Sequence, residues 1–509
     1  KELHSFTVLL GTSAISWKNE YHGSAKSNLP SNDPDDVFLD NFIDVGSERA
    51  WNGASEFSFL SYFGRVNYEY DNKYLFAATM RVDGSSRFGE NNRFGYFPSA
   101  SAGWVISRED FFSENSAISF LKLRASWGQN GNAEIGNYGY TTTIFTGQNY
   151  TLGPNETIVN GSGPVSTSNP DLKWETNAQT NVGIDLELLD GMFNFTTDFY
   201  MKNTSDMLAV IPIPTIVGLE PSVTNVGDVS NKGIEIEAEY RKRTGKLTFD
   251  IGGNISFVKN EVTNLGVGGD AINSGNVQSA SSTVALTDVG SPIASFYGYV
   301  TDGIFQNSAE VAAHATQNGA SAGDIRFVDL DGNGIIDVND QTFIGNPTPN
   351  FSYGLNASAA YKGFDMSIFL QGSQGNDIYN ATVRYDFVFA NRPNSVLDRW
   401  TGEGTSADEP RVSISDPNQN ARVSDRFIED GSYLRVKNLQ IGYTIPSSIT
   451  QKVKLRQVRL YVAAQNLFTF TKYSGLDPEI GTRGSLEIGI DRGFYPQART
   501  YMAGLNIKL

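Results

Sequence analysis

Hydrophobic and polar residues alternate with a period of two along much of the chain. In the segment "LTFDIGGNISF", Leu247, Phe249 and Ile251 share one face of an extended strand, because successive side chains point to opposite sides. Thr248 and Asp250 fall on the other face. The same alternation recurs in "VGIDLEL", "FNFTTDF", "GIEIEAEY" and the final "YMAGLNIKL". The pattern indicates strands that are apolar on one side and polar on the other.

The alternation predicts an all-β chain of about fourteen strands. The expected strands lie near residues 4–20, 60–70, 74–83, 95–106, 120–128, 174–189, 192–203, 226–241, 247–259, 349–361, 364–376, 430–445, 455–469 and 499–509. Such strands suit either a soluble antiparallel sheet with one wet face or a transmembrane barrel with a polar lumen. Alternation alone does not separate these two folds.

The lengths of the connections favour the barrel. Short turns such as Asp190-Gly191 and Lys362-Gly363 have the glycine-containing chemistry of tight hairpins. They alternate with long connections at residues 21–59, 129–173, 204–225, 260–348, 377–429 and 470–498, and with a shorter one at 84–94. Outer-membrane barrels have short periplasmic turns and long extracellular loops. We therefore expect an antiparallel transmembrane β-barrel over residues 1–509, with the loop 260–348 outside the cell.

Composition narrows the classes of function. The chain has 56 acidic and 39 basic residues, a net charge of −17, which disfavours a nucleic-acid partner because such partners need a broad basic surface. No cysteine is present, so disulfides, thiolate metal sites and cysteine nucleophiles are excluded. No apolar run reaches the roughly 18 residues of a membrane-spanning helix, which excludes a helical membrane protein but not a barrel.

The segment "DLDGNGIIDVND", residues 329–340, matches the template of a calcium-binding loop. The ligands at template positions 1, 3, 5, 7, 9 and 12 would be Asp329, Asp331, Asn333, the carbonyl of Ile335, Asp337 and Asp340. Gly334 takes the sharp turn at position 6, and the aspartate at position 12 resembles the dockerin variant rather than the EF-hand glutamate. We expect a structural Ca²⁺ that fixes the shape of an extracellular loop. The alternative is a polar turn built from Asx and glycine chemistry.

Other candidate chemistry is sparse. A catalytic role for the acidic loop is disfavoured, because no apolar neighbours are there to raise a carboxyl pKa. The three histidines are scattered without metal-ligand spacing, and the sequence has no phosphate-binding glycine loop and no nucleophile elbow. Glu235, Glu237 and Glu239 share a strand face and are expected to form a hydrated lumen wall. The sequence does not predict an enzyme.

A series of segments follows a family pattern in its order along nearly the whole chain. The segments are "SYFGRVNYEY", "YLFAATMRVDGSSRFG", "RFGYFPSASAGWVIS", "LRASWGQNGN", "NPDLKWET", "VGDVSNKGIEIE", "FYGYVTDGIFQ", "GSYLRVKNLQIGYTIP" and "AQNLFTFTKYSGLDPE". With them the chain resembles the C-terminal part of SusC/RagA-family TonB-dependent outer-membrane transporters of Bacteroidota. The resemblance departs from the usual barrel ending at Leu509, where an aromatic residue is common.

The resemblance implies a barrel of about twenty-two strands with a plugged lumen. The plug domain, the segment that contacts TonB and the early strands would then lie outside this chain. It also implies import of a glycan or an oligopeptide, energy coupling through TonB, a SusD-like surface lipoprotein as partner, and outer-membrane lipid around the barrel. Two alternatives stay open: a self-contained fourteen-stranded outer-membrane channel, and a secreted β-rich protein that binds glycans or acts as an adhesin.

Overall fold

The structure is a computed structural model of the chain. It describes residues 3–31, 33–112, 117–154, 156–211, 213–243, 245–266, 269–277, 282–383 and 391–509. Residues 267–268, 278–281 and 384–390, which belong to two of the predicted long loops, lie outside the described residues.

Fourteen strands form one antiparallel sheet in which hydrogen-bonded neighbours are also neighbours along the chain. They are β1 (His4–Ala25), β2 (Arg49–Tyr70), β3 (Tyr74–Ser85), β4 (Phe94–Val105), β5 (Ile118–Asn132), β6 (Glu175–Leu188), β7 (Phe193–Ser205), β8 (Asp228–Lys242), β9 (Leu247–Asn264), β10 (Phe351–Tyr361), β11 (Phe364–Gln374), β12 (Tyr433–Thr444), β13 (Gln457–Thr471) and β14 (Thr500–Lys508). The predicted all-β class is confirmed, and a strand lies at each of the fourteen predicted positions. Short turns alternate with long loops except beside β4, where the connection 86–93 is shorter than the connection 106–117.

The first hairpin is much longer than the alternation indicated. Strands β1 and β2 pair over 22 residues each, so the predicted loop 21–59 shrinks to residues 26–48. At about 3.3 Å per residue such strands are roughly 70 Å long, whereas a tilted membrane crossing needs only about 9–11 residues. The outer part of the hairpin therefore extends beyond a bilayer. This part has no lipid on one side, so its side chains need not alternate between apolar and polar. The prediction, which relied on that alternation, therefore made both strands too short.

The two faces of the sheet differ in chemistry. One face exposes large apolar side chains, such as Val182, Phe199 and Val462, each more than half accessible. The opposite face carries charged groups, for example Arg124 of β5, which lies 2.9 Å from carboxylate oxygens of both Asp185 and Asp198. An apolar outer face and a polar inner face are typical of a transmembrane barrel.

The sheet is open at both ends. Strand β1 is paired with β2 and strand β14 with β13, and no pairing joins β1 to β14 among the residues that the structure describes. An open edge leaves backbone donors and acceptors unpaired, and hydrocarbon does not tolerate that. The open sheet therefore gives no support to a self-contained fourteen-stranded channel, and it is consistent with part of a larger barrel.

The long loops contain their own small sheets. A four-stranded sheet combines Ile272–Val277, Ser282–Thr287, Ser295–Tyr299 and Gln341–Gly345, and a three-stranded sheet combines Asp377–Asn380, Ile428–Asp430 and Ile490–Asp491. Two-stranded pairs are Thr301–Ile304 with Ile325–Phe327, Leu208–Val210 with Val223–Asn225, Ile144–Thr146 with Ser162–Pro164, and Tyr150–Leu152 with Thr157–Val159. These elements lie at the end of the sheet opposite the short turns.

The helices of the described residues are short. The α-helices are α1 (Ser308–Ala313) and α2 (Ser447–Thr450). The 3-10 turns are Pro34–Asp36, Leu39–Asn41, Glu90–Asn92, Ile106–Arg108, Thr215–Val217, Val338–Asp340, Asn394–Asp398, Asp425–Phe427 and Gln451–Val453. None of the helices in the described ranges is long and apolar enough to cross a lipid bilayer.

The buried core lies largely among the loops rather than in the sheet. Phe296, Phe305 and Phe327, all from the loop 265–350, are fully buried. Phe296 packs in one cluster with Tyr379 and Ile490, which come from the two later long loops. The three loops at residues 265–350, 375–432 and 472–499 therefore pack as one unit, which we call the loop body.

Candidate functional site

The acidic loop 329–340 brings three of its carboxylates together. One oxygen each from Asp329, Asp331 and Asp340 lies within 4.8 Å of the others. Asp331 is exposed, Asp329 is half-buried and Asp340 is completely buried. Three converging carboxylates, one of them at the bottom of the loop, form a set of hard oxygen donors of the kind that suits Ca²⁺.

Two glycines make the turn around Asp329. Gly332 and Gly334 have φ angles of 72° and 85°, the left-handed region that other residues adopt only with strain. Their N–H groups donate to the two carboxylate oxygens of Asp329, each at 2.9 Å. These bonds, that of Gly334 foremost, lower the pKa of Asp329 below its ordinary value. The carboxylate is therefore held in its charged form, which is the form that binds cations.

The buried carboxylate of Asp340 holds the acidic loop in shape by accepting hydrogen bonds from its backbone. Its carboxylate oxygens accept hydrogen bonds from the N–H groups of Leu330 at 2.7 Å and Asp337 at 2.8 Å. Asp337 in turn caps the 3-10 turn Val338–Asp340, because its side chain accepts from the N–H of Asn339 at 2.8 Å. The start and the end of the loop are thus tied to one another by a buried carboxylate.

Two other predicted ligands, Asn333 and Asp337, lie outside the three converging carboxylates and make hydrogen bonds that shape the turn. The Asn333 side chain donates to Asp331 at 2.9 Å and accepts from the N–H of Ile335 at 2.8 Å. Asp337 lies outside the converging group, as a position-9 residue that reaches its ion through water would. Both the template of a calcium loop and the chemistry of an Asx turn are therefore present in these residues.

One side of the acidic loop is attached to the loop body. The N–H of Thr316 donates to the carbonyl of Gly334 at 2.8 Å, and the N–H of Ile336 donates to the carbonyl of Thr316 at 3.0 Å. The Ile336 side chain is buried in a cluster with Tyr299 and Phe327. The shape of the acidic loop is therefore coupled to the packing of the loop 265–350.

A buried ion pair joins two of the long loops. Asp324 is completely buried, and its two carboxylate oxygens accept from Arg411 Nε at 2.8 Å and Nη2 at 2.9 Å. Asn420 Nδ2 donates to the same carboxylate at 3.0 Å. The pair fastens the loop 265–350 to the loop 375–432 with planar, two-point geometry. We call it the Asp324 clamp.

Arg422 packs beside this clamp on two aromatic rings. Its guanidinium lies 4.9 Å from the ring centre of Tyr299 and 4.4 Å from that of Phe327. It also donates to the carbonyl of Asn418 at 2.7 Å. Burial lowers the pKa of Arg422. The stacked cation adds a second contact between the same two loops.

A second buried network ties the last long loop to the barrel wall. Arg435 of β12 is 2% exposed and is bonded to Asp477, to Glu479 at 2.7 Å and to Thr469 at 2.8 Å. Lys437 of the same strand donates to Glu479 at 2.7 Å. Both carboxylates belong to the loop 472–499. We call this network the Arg435 clamp.

Sequence reasoning missed both clamps. The segments "YLRVKNL" and "GLDPE" stand out by their charges, but Arg435 and Asp477 are 42 residues apart. Asp324 and Arg411 are 87 residues apart. Neither the alternation of apolar and polar residues nor any short spacing in the sequence indicates that such distant residues pair. Only the presence of isolated charges in otherwise apolar or turn-rich segments could have indicated it.

A family model described as "TonB dependent receptor-like, beta-barrel" matches residues 2–467. The chain is 38% identical over 464 residues to TonB-dependent receptor P3 of Formosa agariphila, which covers 89% of this chain and 46% of that protein. It is 34% identical over 473 residues to TonB-dependent receptor SusC of Bacteroides thetaiotaomicron, with 89% and 44% covered. The chain thus spans about half the length of these curated relatives.

Solved structures show the same fold. "Structure of the RagAB peptide transporter" matches with a TM-score of 0.82 at 24% identity, over 100% of this chain and 53% of that one. The RagAB peptide importer in its closed-closed state matches with a TM-score of 0.79 at 26% identity, over 100% and 54%. The open sheet of fourteen strands is therefore similar to about half of a larger barrel chain.

Proposed function

The chain belongs to the TonB dependent receptor-like β-barrel family, and from that premise we propose that it works in the import of a nutrient, a glycan or an oligopeptide. Proteins of this family are transporters of the outer membrane rather than enzymes, so the apolar face of the sheet lies against outer-membrane lipid. The whole protein would be a transporter of the SusC/RagA type, with energy supplied by TonB through a segment outside this chain.

The open fourteen-stranded sheet is the observation that carries this proposal. Its apolar outer face, its charged inner face and its unpaired edges fit a sector of a large barrel with an aqueous lumen. The whole length of this chain matches part of RagAB in fold, and RagAB is described as a peptide transporter. SusC is similar in sequence over most of this chain. Those likenesses support import. Of the two proposed substrate classes, the likeness to RagAB supports the oligopeptide, and the glycan is kept from the family resemblance of the sequence.

We also propose a SusD-like surface lipoprotein as the partner. The loop body supports this, because the Asp324 clamp joins the loops 265–350 and 375–432, and the cluster of Phe296, Tyr379 and Ile490 adds the third loop before any partner binds. A preorganised surface loses less conformational entropy on docking than separate flexible loops would.

Growth and pull-down experiments on the full-length protein test this function. Cells that lack its gene should fail to grow on one glycan or oligopeptide as sole nutrient, and a plasmid copy should restore growth. An affinity-tagged copy in mild detergent should bring down one surface lipoprotein. Normal growth of the deletion strain on every glycan and peptide tested, or a tagged chain that is soluble without detergent, would contradict the proposal.

We propose further that the acidic loop binds Ca²⁺ as a structural ion, through Asp329, Asp331 and Asp340 and with Asn333, the Ile335 carbonyl and Asp337 as the remaining template ligands. The support is the convergence of the three carboxylates and the charged state of Asp329. The alternative is a polar turn, since the backbone hydrogen bonds of the loop hold it without an ion. An ion here would stiffen the loop body and take no part in a reaction.

The calcium proposal predicts protease protection. Calcium at about 100 times its Kd should stabilise the loop by about 2.7 kcal/mol, and so slow cleavage within residues 265–350. A chelator should reverse the protection, and Asp329→Ala with Asp331→Ala should abolish it. The matched control is Asp302→Ala, another exposed carboxylate of the same loop. Identical cleavage of the wild-type loop with and without chelator would favour the polar turn.

A further inference from the structure

A shallow groove of about 570 Å³ crosses the lipid-facing side of strands β2 to β6. Its floor consists of four exposed alanines on three adjacent strands: Ala78 of β3, Ala100 and Ala102 of β4, and Ala125 of β5. In the register of the sheet, Ala78 lies opposite Ala100, and Ala102 lies opposite Ala125. Four neighbouring methyl groups leave this patch of the surface lower than its surroundings.

Large apolar side chains form the walls. Val66 and Phe76 stand on one side of the alanines, and Trp127 and Val182 stand on the other. Each of these four side chains is between 43% and 51% exposed, so it projects from the sheet rather than folding over the floor. All five strands are paired on both sides, so the groove is not a product of a sheet edge.

Two aromatic residues fix the depth of the groove in the membrane. Tyr74 and Trp104 lie opposite each other at the end of β3 and β4 that carries the short turns. The Tyr74 hydroxyl donates to Glu109 at 2.6 Å, and Trp104 Nε1 donates to the same oxygen at 2.9 Å. Rings with an apolar body and a polar tip in water mark the membrane interface.

The floor lies within reach of acyl chains. Ala102 and Ala100 are two and four residues from Trp104 towards the membrane centre. At about 3.3 Å per residue they lie about 7 and 13 Å along the strand from the interface. The short turns mark the periplasmic side. The groove is therefore continuous with the hydrocarbon of the periplasmic leaflet.

The periplasmic turns next to the groove carry charges of both signs. Lys73 lies 3.5 Å from Glu109 and 3.4 Å from Asp110 in the periplasmic turns, and Arg108 donates to the backbone of Asn72 at 2.8 Å. A zwitterionic headgroup offers a phosphate to the cations and an ammonium to the carboxylates. Asp71 is a third carboxylate beside Lys73, so three carboxylates outnumber two cations and a purely anionic headgroup would meet net repulsion.

We propose that this groove is a binding site for one zwitterionic phospholipid of the periplasmic leaflet, with an acyl chain seated on the four alanines. The lipid stays bound longer than the lipid around the rest of the barrel. A floor of methyl groups between two walls of large apolar side chains offers an acyl chain apolar contact on its underside and on both flanks. This lipid site requires only that the barrel lies in the outer membrane. Its test is therefore independent of which nutrient the protein imports.

Native mass spectrometry of the full-length protein in mild detergent tests the site. Phosphatidylethanolamine added at increasing concentration should give one tightly retained lipid per chain, and phosphatidylglycerol should be retained severalfold less. Ala100→Phe fills the groove and should reduce retention of phosphatidylethanolamine at least severalfold. The matched control is Ala359→Phe, because Ala359 is an exposed alanine of β10 on the same face, between Phe249 and Met366. It should retain lipid as the wild type does.

Heat-modifiable migration on gels establishes that each variant is folded, and Ala102→Leu is a milder replacement in case Ala100→Phe does not fold. Equal lipid retention by the wild type and a folded groove variant would overturn the proposal. So would a wild-type spectrum without retained lipid. A disulfide-linked dimer of Phe76→Cys that the groove variants prevent would assign the groove to a second copy of the chain instead.

Discussion

Replacing Arg435 by methionine is expected to lower the free energy of unfolding by about 3–5 kcal/mol, the range for removing one partner of a buried ion pair. The cost arises because the buried Asp477 would lose the guanidinium that faces it, whereas Glu479 would keep Lys437 as its partner. The loop 472–499 would then be held less firmly to the barrel wall. Thermal unfolding of the detergent-purified protein should shift down, and protease cleavage within this loop should become fast.

The matched control for Arg435→Met is Lys18→Ala. Lys18 pairs with Glu20 on the outside of the first hairpin, where both side chains are more than half exposed. Exposed pairs contribute about 0–1 kcal/mol, so this variant should unfold almost like the wild type. If Arg435→Met and Lys18→Ala unfold at the same temperature and the loop 472–499 stays resistant to protease, the Arg435 clamp does not hold that loop.

Replacing Asp324 by alanine is expected to separate the loops 265–350 and 375–432. It removes both charge-assisted bonds of Arg411 and leaves a largely buried guanidinium without its carboxylate, at a local cost of about 3–5 kcal/mol. The barrel has no part in this pair, so its heat-modifiable migration should not change. Limited proteolysis within residues 391–432 should accelerate, and the full-length variant should bring down less of the surface lipoprotein.

Two further variants make the Asp324 test specific. Asp302→Ala removes an exposed partner of Arg326 from the same loop and should change cleavage little. Asp324→Leu combined with Arg411→Met replaces the buried pair by apolar side chains and should recover part of the lost protection. A double variant as susceptible as Asp324→Ala would mean that shape, and not the unpaired charge, accounts for the loss.

The sequence was most informative where one physical constraint acts on every second residue. Lipid on one face and water on the other impose the alternation of Leu247, Thr248 and Phe249, and so the fourteen strands could be predicted. The outer part of the first hairpin escaped prediction because no lipid lies against it: one face is open to water, and on the other Phe59 packs on Trp174. Around Trp51 the side chains are free of the alternation, although the backbone continues to pair.

The same reasoning applies to the sites. The carboxylates of Asp329, Asp331 and Asp340 could be predicted to meet, because one loop with glycine turns brings them together over a short span. That Asp337 would cap a 3-10 turn was not predicted, since capping and metal ligation use the same residue types. The Asp324 and Arg435 clamps depend on how distant loops pack, and no local pattern records that packing.

The position of the core among the loops sets the order in which this protein can assemble. Phe296 belongs to the loop 265–350, but the side chains packed around it include Tyr379 and Ile490 of the two later loops. Its burial therefore has to wait until all three loops have come together at one end of the sheet. Until then the ring is exposed to water, and exposed apolar surface of this kind favours aggregation. Hydrophobic collapse begins the folding of many soluble domains, whereas here the collapse around Phe296 comes late.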